Sequence, residues 1–449
     1  MTAQLRSILH RVLLFLLLWA VAISAEAGQQ SPDDARALLL EVRKNMLKTI
    51  DRLPKYVCTE TVDRATFQSE IENKSRSCDD LKSRKDSGNW KIRKSSSDRL
   101  RLDVAVSSDG EMYSWAGGDS FDDRGLADLV RGGATSTGTF SSFINSIFGT
   151  DAATFTYDGD VHSGEQVFVE FGFRMPVEKS KYSIGNRLYR AIVGYDGVFL
   201  VDPKTFNVVR LTIRASQLPP ELNACESNTT LDYASVRLNN TDFLLPKDVY
   251  WRTVNPDGSE FRNHTVFSGC HEFLGESSIR FDAPVESAQV TVTKHIVDIP
   301  AELSFSLALT SPIDIATAAA GDLFRAKLIT AIREKRSRVL VPKGAAITGR
   351  IVRVERIYDK ASQSLLLAVK LETVEANGGL QLFHARLGPI AHRRKKDVDA
   401  LVLRQDLGSF DEILYQEDPA IGRVRFDHVT DDYVIKTGLE ITGKTTGVN

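Results

Sequence analysis

The chain is short of net charge, short of cysteine and short of long apolar runs, and each shortage excludes something. Its 57 Lys and Arg face 59 Asp and Glu, so the net charge is −2 and the basic excess of a nucleic-acid binder is missing. That near-balance, with 42% apolar residues, also excludes a disordered chain, which pairs low hydrophobicity with high net charge. Thirty Gly and 14 Pro in 449 residues are ordinary and exclude collagen-like or low-complexity architecture. The four cysteines form no CxxC pair, so a structural zinc site is not expected. No GxSxG elbow is present. His271-Glu272 opens an HExxH string, but Gly275 stands where the second His must be. Gly438 to Thr445 fits the phosphate-binding pattern GxxxxGK[ST], but that chemistry needs a following helix, and only four residues follow Thr445. The match reads as coincidence, and no nucleotide or cofactor is expected.

What is present begins with a compartment signal. Arg6 and Arg11 precede the apolar run Val12 to Ile23, and Ala25-Glu26-Ala27 supplies a small-x-small cleavage pattern. The run is shorter than the ~20 residues of a spanning helix, so residues 1–27 read as a cleaved signal peptide, with no transmembrane span left afterwards. An exported chain with an even cysteine count implies two disulfides among Cys58, Cys78, Cys225 and Cys270. Three connectivities fit. The local pairs Cys58–Cys78 and Cys225–Cys270 are favoured because each lies within one stretch of strands.

In the mature chain, Ser31-Pro32-Asp33-Asp34 starts a helix, with apolar residues at 35, 38, 39, 42, 46, 50 and 53 and a stop at Pro54. From Tyr56 the pattern is mostly β. Val167, Val169, Phe171, Phe173 and Met175 alternate with more polar neighbours, the period of a half-buried strand. Asp202-Pro203-Lys204-Thr205 and Asn255-Pro256-Asp257-Gly258 mark hairpins, which imply antiparallel pairing. Between strands, a Gly/Ser/Thr-rich stretch, Gly132 to Gly138, leads into Phe140, Phe143, Ile144, Ile147 and Phe148. Their spacing describes a short helix with one very apolar face. It either plugs one end of the sheet's core or forms an apolar lid over a ligand cavity. Patterning loosens near residues 285–300, taken as a linker. Beyond it, Leu303–Leu309, Leu323–Ile332, Ala346–Arg356 and Leu365–Val374 read as short strands of a small β-barrel or sandwich. The expected fold class is α+β, mainly antiparallel β. An open curved sheet or incomplete barrel with helices packed on it occupies 28–284, and a smaller C-terminal β-barrel occupies 301–449.

Residues carrying hydrolytic chemistry are scattered. Acidic pairs at Asp79-Asp80, Asp122-Asp123 and Asp431-Asp432 would serve glycoside hydrolysis only if two carboxylates faced each other across a cleft. His264 and His271 could share a site with Glu272 or Glu276, against the plainer reading of structural histidines. Asn73, Asn228, Asn239 and Asn263 lie in N-x-S/T sequons, which matter only in a glycosylating host.

Two stretches resemble known families. The helix, the meander, residues 198–211 (VFLVDPKTFNVVRL) and 231–246 (LDYASVRLNNTDFLLP) make residues 56–282 similar to the LolA/LolB-like lipoprotein-carrier superfamily. That resemblance implies an incomplete barrel capped by helices around an apolar cavity for acyl chains. Residues 311–328, 339–354 and 365–382 resemble the C-terminal β-barrel of TrbI-like conjugation proteins, which implies a structural part of an envelope-spanning channel. The opening LPKYVCTETVDR and the stretch CHEFLGESSIRFD also resemble secreted bacterial proteins of unassigned function. The expected function is therefore an exported, non-catalytic envelope protein. Its partner would be a lipid or lipoprotein acyl chain, or an envelope protein. The alternatives are an adaptor without a small ligand and a secreted hydrolase.

Overall fold

The computed structural model describes residues 32–446 apart from 71–74, 76, 108–109, 119, 122–124, 131, 139, 141, 186–188, 274–298, 335–337, 361, 377 and 389–419. The signal-peptide segment 1–27 and most of the expected linker 285–300 lie outside the described residues. Among the described residues, no helix is long and apolar enough to cross a membrane.

Helix α1 (Pro32–Asp51) buries Ala35, Leu38, Val42 and Met46, the i, i+3, i+4 stripe that the spacing predicts, and leaves Leu40 on its outer face. The strands of the main sheet follow: β1 (Tyr56–Ser69), β2 (Ile92–Ser107), β3 (Gly110–Trp115), β4 (Thr154–Ser163), β5 (Gln166–Met175), β6 (Gly194–Asp202), β7 (Asn207–Ser216), β8 (Glu226–Leu238), β9 (Thr241–Val254) and β10 (Glu260–Glu272), with a separate two-stranded ribbon, Ser183–Gly185 and Arg190–Ile192, between β5 and β6. Helix α2 (Cys78–Asp86) joins β1 to β2, and α3 (Ser142–Phe148) lies between β3 and β4. The spatial order is β3-β2-β1-β10-β9-β8-β7-β6-β5-β4, with every neighbouring pair antiparallel. Both expected hairpins form. In the first, the Asp202 carboxylate accepts from the Lys204 amide at 2.9 Å, the local bond that makes Asp a turn former. Val169, Phe171, Phe173 and Met175 of β5 are buried as expected, while Val167 at the strand's start is exposed. One face of this open sheet, α1 and α3 enclose the larger hydrophobic core.

The C-terminal strands are β11 (Ser304–Leu309), β12 (Leu323–Leu328), β13 (Ala346–Tyr358), β14 (Gln363–Ala376), β15 (Gly379–Leu382), β16 (Ala385–Leu387), β17 (Ile421–Asp427) and β18 (Glu440–Thr445). They surround a second core that includes Phe305, Phe324, Leu367, Phe383 and Ile441. β18 occupies the phosphate-loop-like string. Ile441 points into this core, and the Thr445 hydroxyl donates to the Pro300 carbonyl at 2.6 Å, so the string is strand and binds no phosphate.

The two groups of strands form one 18-stranded sheet because β2 is longer than any neighbour on that side. Its second half pairs with β3, and Ser96, Ser97 and Asp98 of its first half pair with Ile357, Arg356 and Glu355 of β13. Leu100 and Ala320 form a parallel bridge, with amide–carbonyl distances of 2.7 and 2.8 Å. Gly321 (φ +109°) lies tight against β2, where a Cβ would come within 2.0 Å of the Arg101 carbonyl oxygen.

The disulfides correct the local pairing. They join Cys58 to Cys270 and Cys78 to Cys225. The reason is topological: β1 lies between β2 and β10, so the strand beside Cys58 is one that follows two hundred residues later. Cys58 and Cys270 are 4.1 Å apart at Cα, and Cys78, at the start of α2, is 5.3 Å from Cys225, just before β8. Closing a loop of this size removes on the order of 5 kcal/mol of unfolded-chain entropy in the simplest model. A non-reducing digest should yield Cys58–Cys270 and Cys78–Cys225 peptides, and any Cys58–Cys78 peptide would contradict the structure. Gly321→Ala should lower stability by about 1–3 kcal/mol in thermal unfolding, through overpacking at the β2 junction.

Candidate functional site

The segment from Gly132 to Phe148 covers the larger core. Gly132, Gly133 and Gly138 adopt positive φ, which lets the chain turn before α3. The structure places Phe140, Phe143, Ile144, Ile147 and Phe148 together, all buried. Phe140 stands against Tyr56 and Phe267, with ring centroids 5.7 and 4.5 Å apart. Phe143 meets Tyr182 and Tyr195 at 5.2 and 5.9 Å, and Phe148 meets Phe199 at 5.1 Å. Each such pair contributes about 0.5–1.5 kcal/mol beyond its buried area.

Polar groups from the sheet fasten this cover. On β1 the inward residues are Tyr56, Cys58, Glu60, Val62 and Arg64, so a carboxylate and a guanidinium share the parity of the core positions. Buried Arg64 holds Asp98 through its Nε at 2.8 Å and donates from Nη1 to the Gly132 carbonyl at 2.9 Å. A Cβ on Gly133 would come within 2.6 Å of that same Nη1. Asn263 Nδ2 donates to the Ala134 carbonyl at 2.9 Å, which removes its side chain from any glycosylation role. The Glu111 carboxylate accepts from the amides of Gly138 (2.7 Å) and Phe140 (3.2 Å) and from the Tyr113 hydroxyl (2.5 Å). At the far end, Arg43 of α1 donates to the carbonyls of Phe148 and Thr150 at 3.3 and 3.2 Å. Charge-assisted bonds of this kind are roughly twice as strong as neutral ones.

Behind the cover the interior is unusually polar. Burial, then the nearby Glu111 charge, pushes the Glu60 carboxyl up to about 8. Burial, then Glu111, also raises the hydroxyls of Tyr56 and Tyr113, and burial alone raises that of Tyr233. The buried hydroxyl oxygens of Tyr56 and Tyr233 have no hydrogen-bond partner among the described residues. An unpartnered buried hydroxyl costs about 1–3 kcal/mol.

The other candidates do not assemble. His264 stacks on Tyr250 at 4.3 Å and faces Asp248 at 3.2 Å, while His271 sits seven residues along the same strand, roughly 23 Å away at ~3.3 Å per residue. That separation rules out a shared site. Asp80 accepts from Arg84 within α2, Asp431 accepts from Gln363, and Asp432 accepts from Thr430, so these acids serve local structure. Asp122, Asp123, Asn73, Gly275 and Glu276 lie outside the described residues. Among the described residues, no group of three His, Cys, Asp or Glu is placed to hold a metal.

No protein-family model matches this chain, and no curated protein matches it either. Three solved structures are similar over about half of it. A DUF1329 family protein from Desulfovibrio piger aligns at a TM-score of 0.25 with 10% identity, covering 54% of this chain and 94% of the other. A putative outer membrane lipoprotein-sorting protein domain from Vibrio parahaemolyticus aligns at 0.25 with 9% identity, covering 51% and 90%. A LolA superfamily protein from Nitrosomonas europaea aligns at 0.24 with 8% identity, covering 51% and 93%. Likeness at this level carries no weight here, and function is reasoned from the side chains.

Glu60 makes the fold pH-sensitive. Between its ordinary value of 4.5 and about 8, the folded chain keeps a proton that the unfolded chain releases. The folded state then binds more protons, so stability falls as pH rises through that window. Thermal unfolding from about pH 5 to pH 9 should show this fall in the native chain, at about 1.4 kcal/mol for each pH step of one within the window, and Glu60→Gln should remove it. Equal pH slopes in the two proteins would refute the assignment.

Proposed function

We propose that this chain is an exported, non-catalytic binding protein of the cell envelope that holds an amphiphile in its curved sheet, with segment 132–149 as a displaceable cover. The observation that carries this reading is the pair of unpartnered buried hydroxyls, Tyr56 and Tyr233, in the interior that also holds the Glu60 carboxyl. A ligand's polar end would give them partners, while its acyl chain takes the place of Phe143, Ile144, Ile147 and Phe148.

Magnitudes agree with exchange. Fully burying four side chains of this size contributes about 6–12 kcal/mol, and burying an acyl chain of ~14 carbons contributes about 11 kcal/mol. Cover and ligand are thus near balance, as reversible loading requires. The C-terminal strands are read as a small barrel docked beside the carrier sheet. In support, segment 379–387 pairs through β15 with β14 and through β16 with β18. The export and envelope assignments rest on the N-terminal sequence signal and agree with two disulfides.

On this reading the cover is an intramolecular competitor, which sets the sign of the test. With the mature chain and dansyl-labelled lauric acid, Phe143→Ala and Ile147→Ala should each strengthen binding by about ten- to a hundredfold, because each removes about 1.5–3 kcal/mol from the closed state. Both should also lower the melting temperature of the ligand-free protein. Failure of the native chain and both folded variants to bind the probe would sink the carrier reading. The adaptor would take its place, β4, which pairs only with β5 among the described residues, offering strand addition to a partner chain.

A further inference from the structure

The opposite face of the same sheet carries a cavity. It has a volume of about 660 Å³, within the usual range for small-ligand sites. Its floor is the outward face of β1, β2, β8, β9 and β10, and its wall is residues 315–318 with β13. It is basic: Lys94, Arg99, Arg252, Arg262 and Arg356 line it, and Arg64 borders it together with the carboxylates of Asp63 and Asp98.

Arg99, Arg252 and Arg262 are already matched. Arg99 grips Asp63 with two bonds, at 2.6 and 3.1 Å. Arg252 holds Glu260 at 2.7 and 2.9 Å and Glu226 at 2.6 Å, and Arg262 also bonds Glu260. Burial works against ionisation of both carboxyls, yet Lys85 and Arg252 hold Glu226, and Arg252 and Arg262 hold Glu260, below the usual carboxylate range. Lys94 and Arg356 have no carboxylate partner among the described residues. Lys94 Nζ sits 4.8 Å over the Tyr358 ring, which orients the ammonium without neutralising it. Arg356 donates from Nη2 to the Ile315 carbonyl at 2.6 Å, and its buried Nε has no acceptor among the described residues. A guanidinium without a carboxylate partner in a basic cavity favours an anion. Beside them, Tyr250 stacks on His264 at 4.3 Å and leaves about half its surface exposed, a flat apolar wall for the rest of a ligand.

We propose that this cleft between the two groups of strands is a binding site for a small organic anion, whose phosphate or carboxylate is held by Lys94 and Arg356. Arg64, Asp98 and Asn263, which hold the cover, also border the cavity, but Lys94 and Arg356 make no contact with the cover, and an anion on them needs no movement of segment 132–149.

The test is isothermal titration of the mature, disulfide-bonded chain with inorganic pyrophosphate and, separately, with citrate. Lys94→Gln and Arg356→Gln should each weaken binding at least tenfold, and Arg325→Gln, on the exposed face of β12, should leave it unchanged. Circular dichroism would check each fold. Lys94→Gln keeps the test sound if Arg356→Gln, which loses the bond to Ile315, proves unstable. Tighter binding of pyrophosphate would assign a phosphate ligand, and tighter binding of citrate a carboxylate. The proposal falls if the native chain binds neither anion, if Arg325→Gln weakens binding as much, or if both cleft variants bind like the native chain.

Discussion

The structure depends on β2 and the ladders along both of its edges. One edge pairs with β1 throughout its length, and the other passes from β13 to β3 partway along. Inter-strand hydrogen bonds set a spacing of about 4.8 Å and a fixed direction, so a strand shared in this way holds two sheets in one orientation. The side chains of β2 reinforce it. Arg99 and Arg101 reach the carbonyls of Ala316 and Thr317, Arg101 pairs with Asp322, and Ser97 meets the Tyr358 hydroxyl at 3.0 Å. Arg350 reaches back from β13 to the Ala116 carbonyl at 2.8 Å. The junction is therefore a continuation of the sheet, and the basic cleft is the angle that this continuation encloses.

The disulfides act on a different part of the same problem. A sheet ordered β3-β2-β1-β10 sets the first strand beside the last of its meander, and such non-local contacts close only after a large loss of chain entropy. Cys58–Cys270 ties β1 to β10, and Cys78–Cys225 ties α2 to the entrance of β8. Both bridges thus lie across the side of the sheet that local hairpins cannot close. The hairpins β6–β7 and β9–β10 need no such help, since their turns bring the strands together directly.

This division also explains what the sequence made legible. The helical stripe of α1, the alternation of β5, the two hairpin turns and the apolar face of α3 are local signals, and each element forms where its period and turn residues indicate. The cysteine pairing is not local: proximity along the chain points to Cys58–Cys78 and Cys225–Cys270, whereas strand order decides otherwise. Glu60 and Arg64 are legible in principle. They occupy the parity of Tyr56, Cys58 and Val62, and a carboxylate and a guanidinium at core positions of one strand signal a buried polar arrangement. The cleft is not legible at all. Its lining comes from β1, β2, β8, β9, β10, residues 315–318 and β13, and no local pattern announces that Lys94 and Arg356 meet across a sheet junction.

Alternation along β1 and β2 links the two faces more closely than their separate chemistries suggest. Asp63 and Arg64 are neighbours in sequence, as are Asp98 and Arg99, and each forms its ion pair on its own side of the sheet. Arg64 with Asp98 supports the cover, and Arg99 with Asp63 lines the cleft. A one-residue slip of β1 against β2 would turn Asp63 and Arg64 to the opposite faces and set Asp63 opposite Asp98, or Arg64 opposite Arg99, breaking both pairs. Register is therefore specified twice over on this ladder, once by the apolar residues and once by charge. Charges so placed penalise the slipped pairing more than they stabilise the native one, because an unpaired buried ion costs more than a paired one returns. The two ion pairs are best understood as determinants of strand register, from which both the covered interior and the open cleft follow.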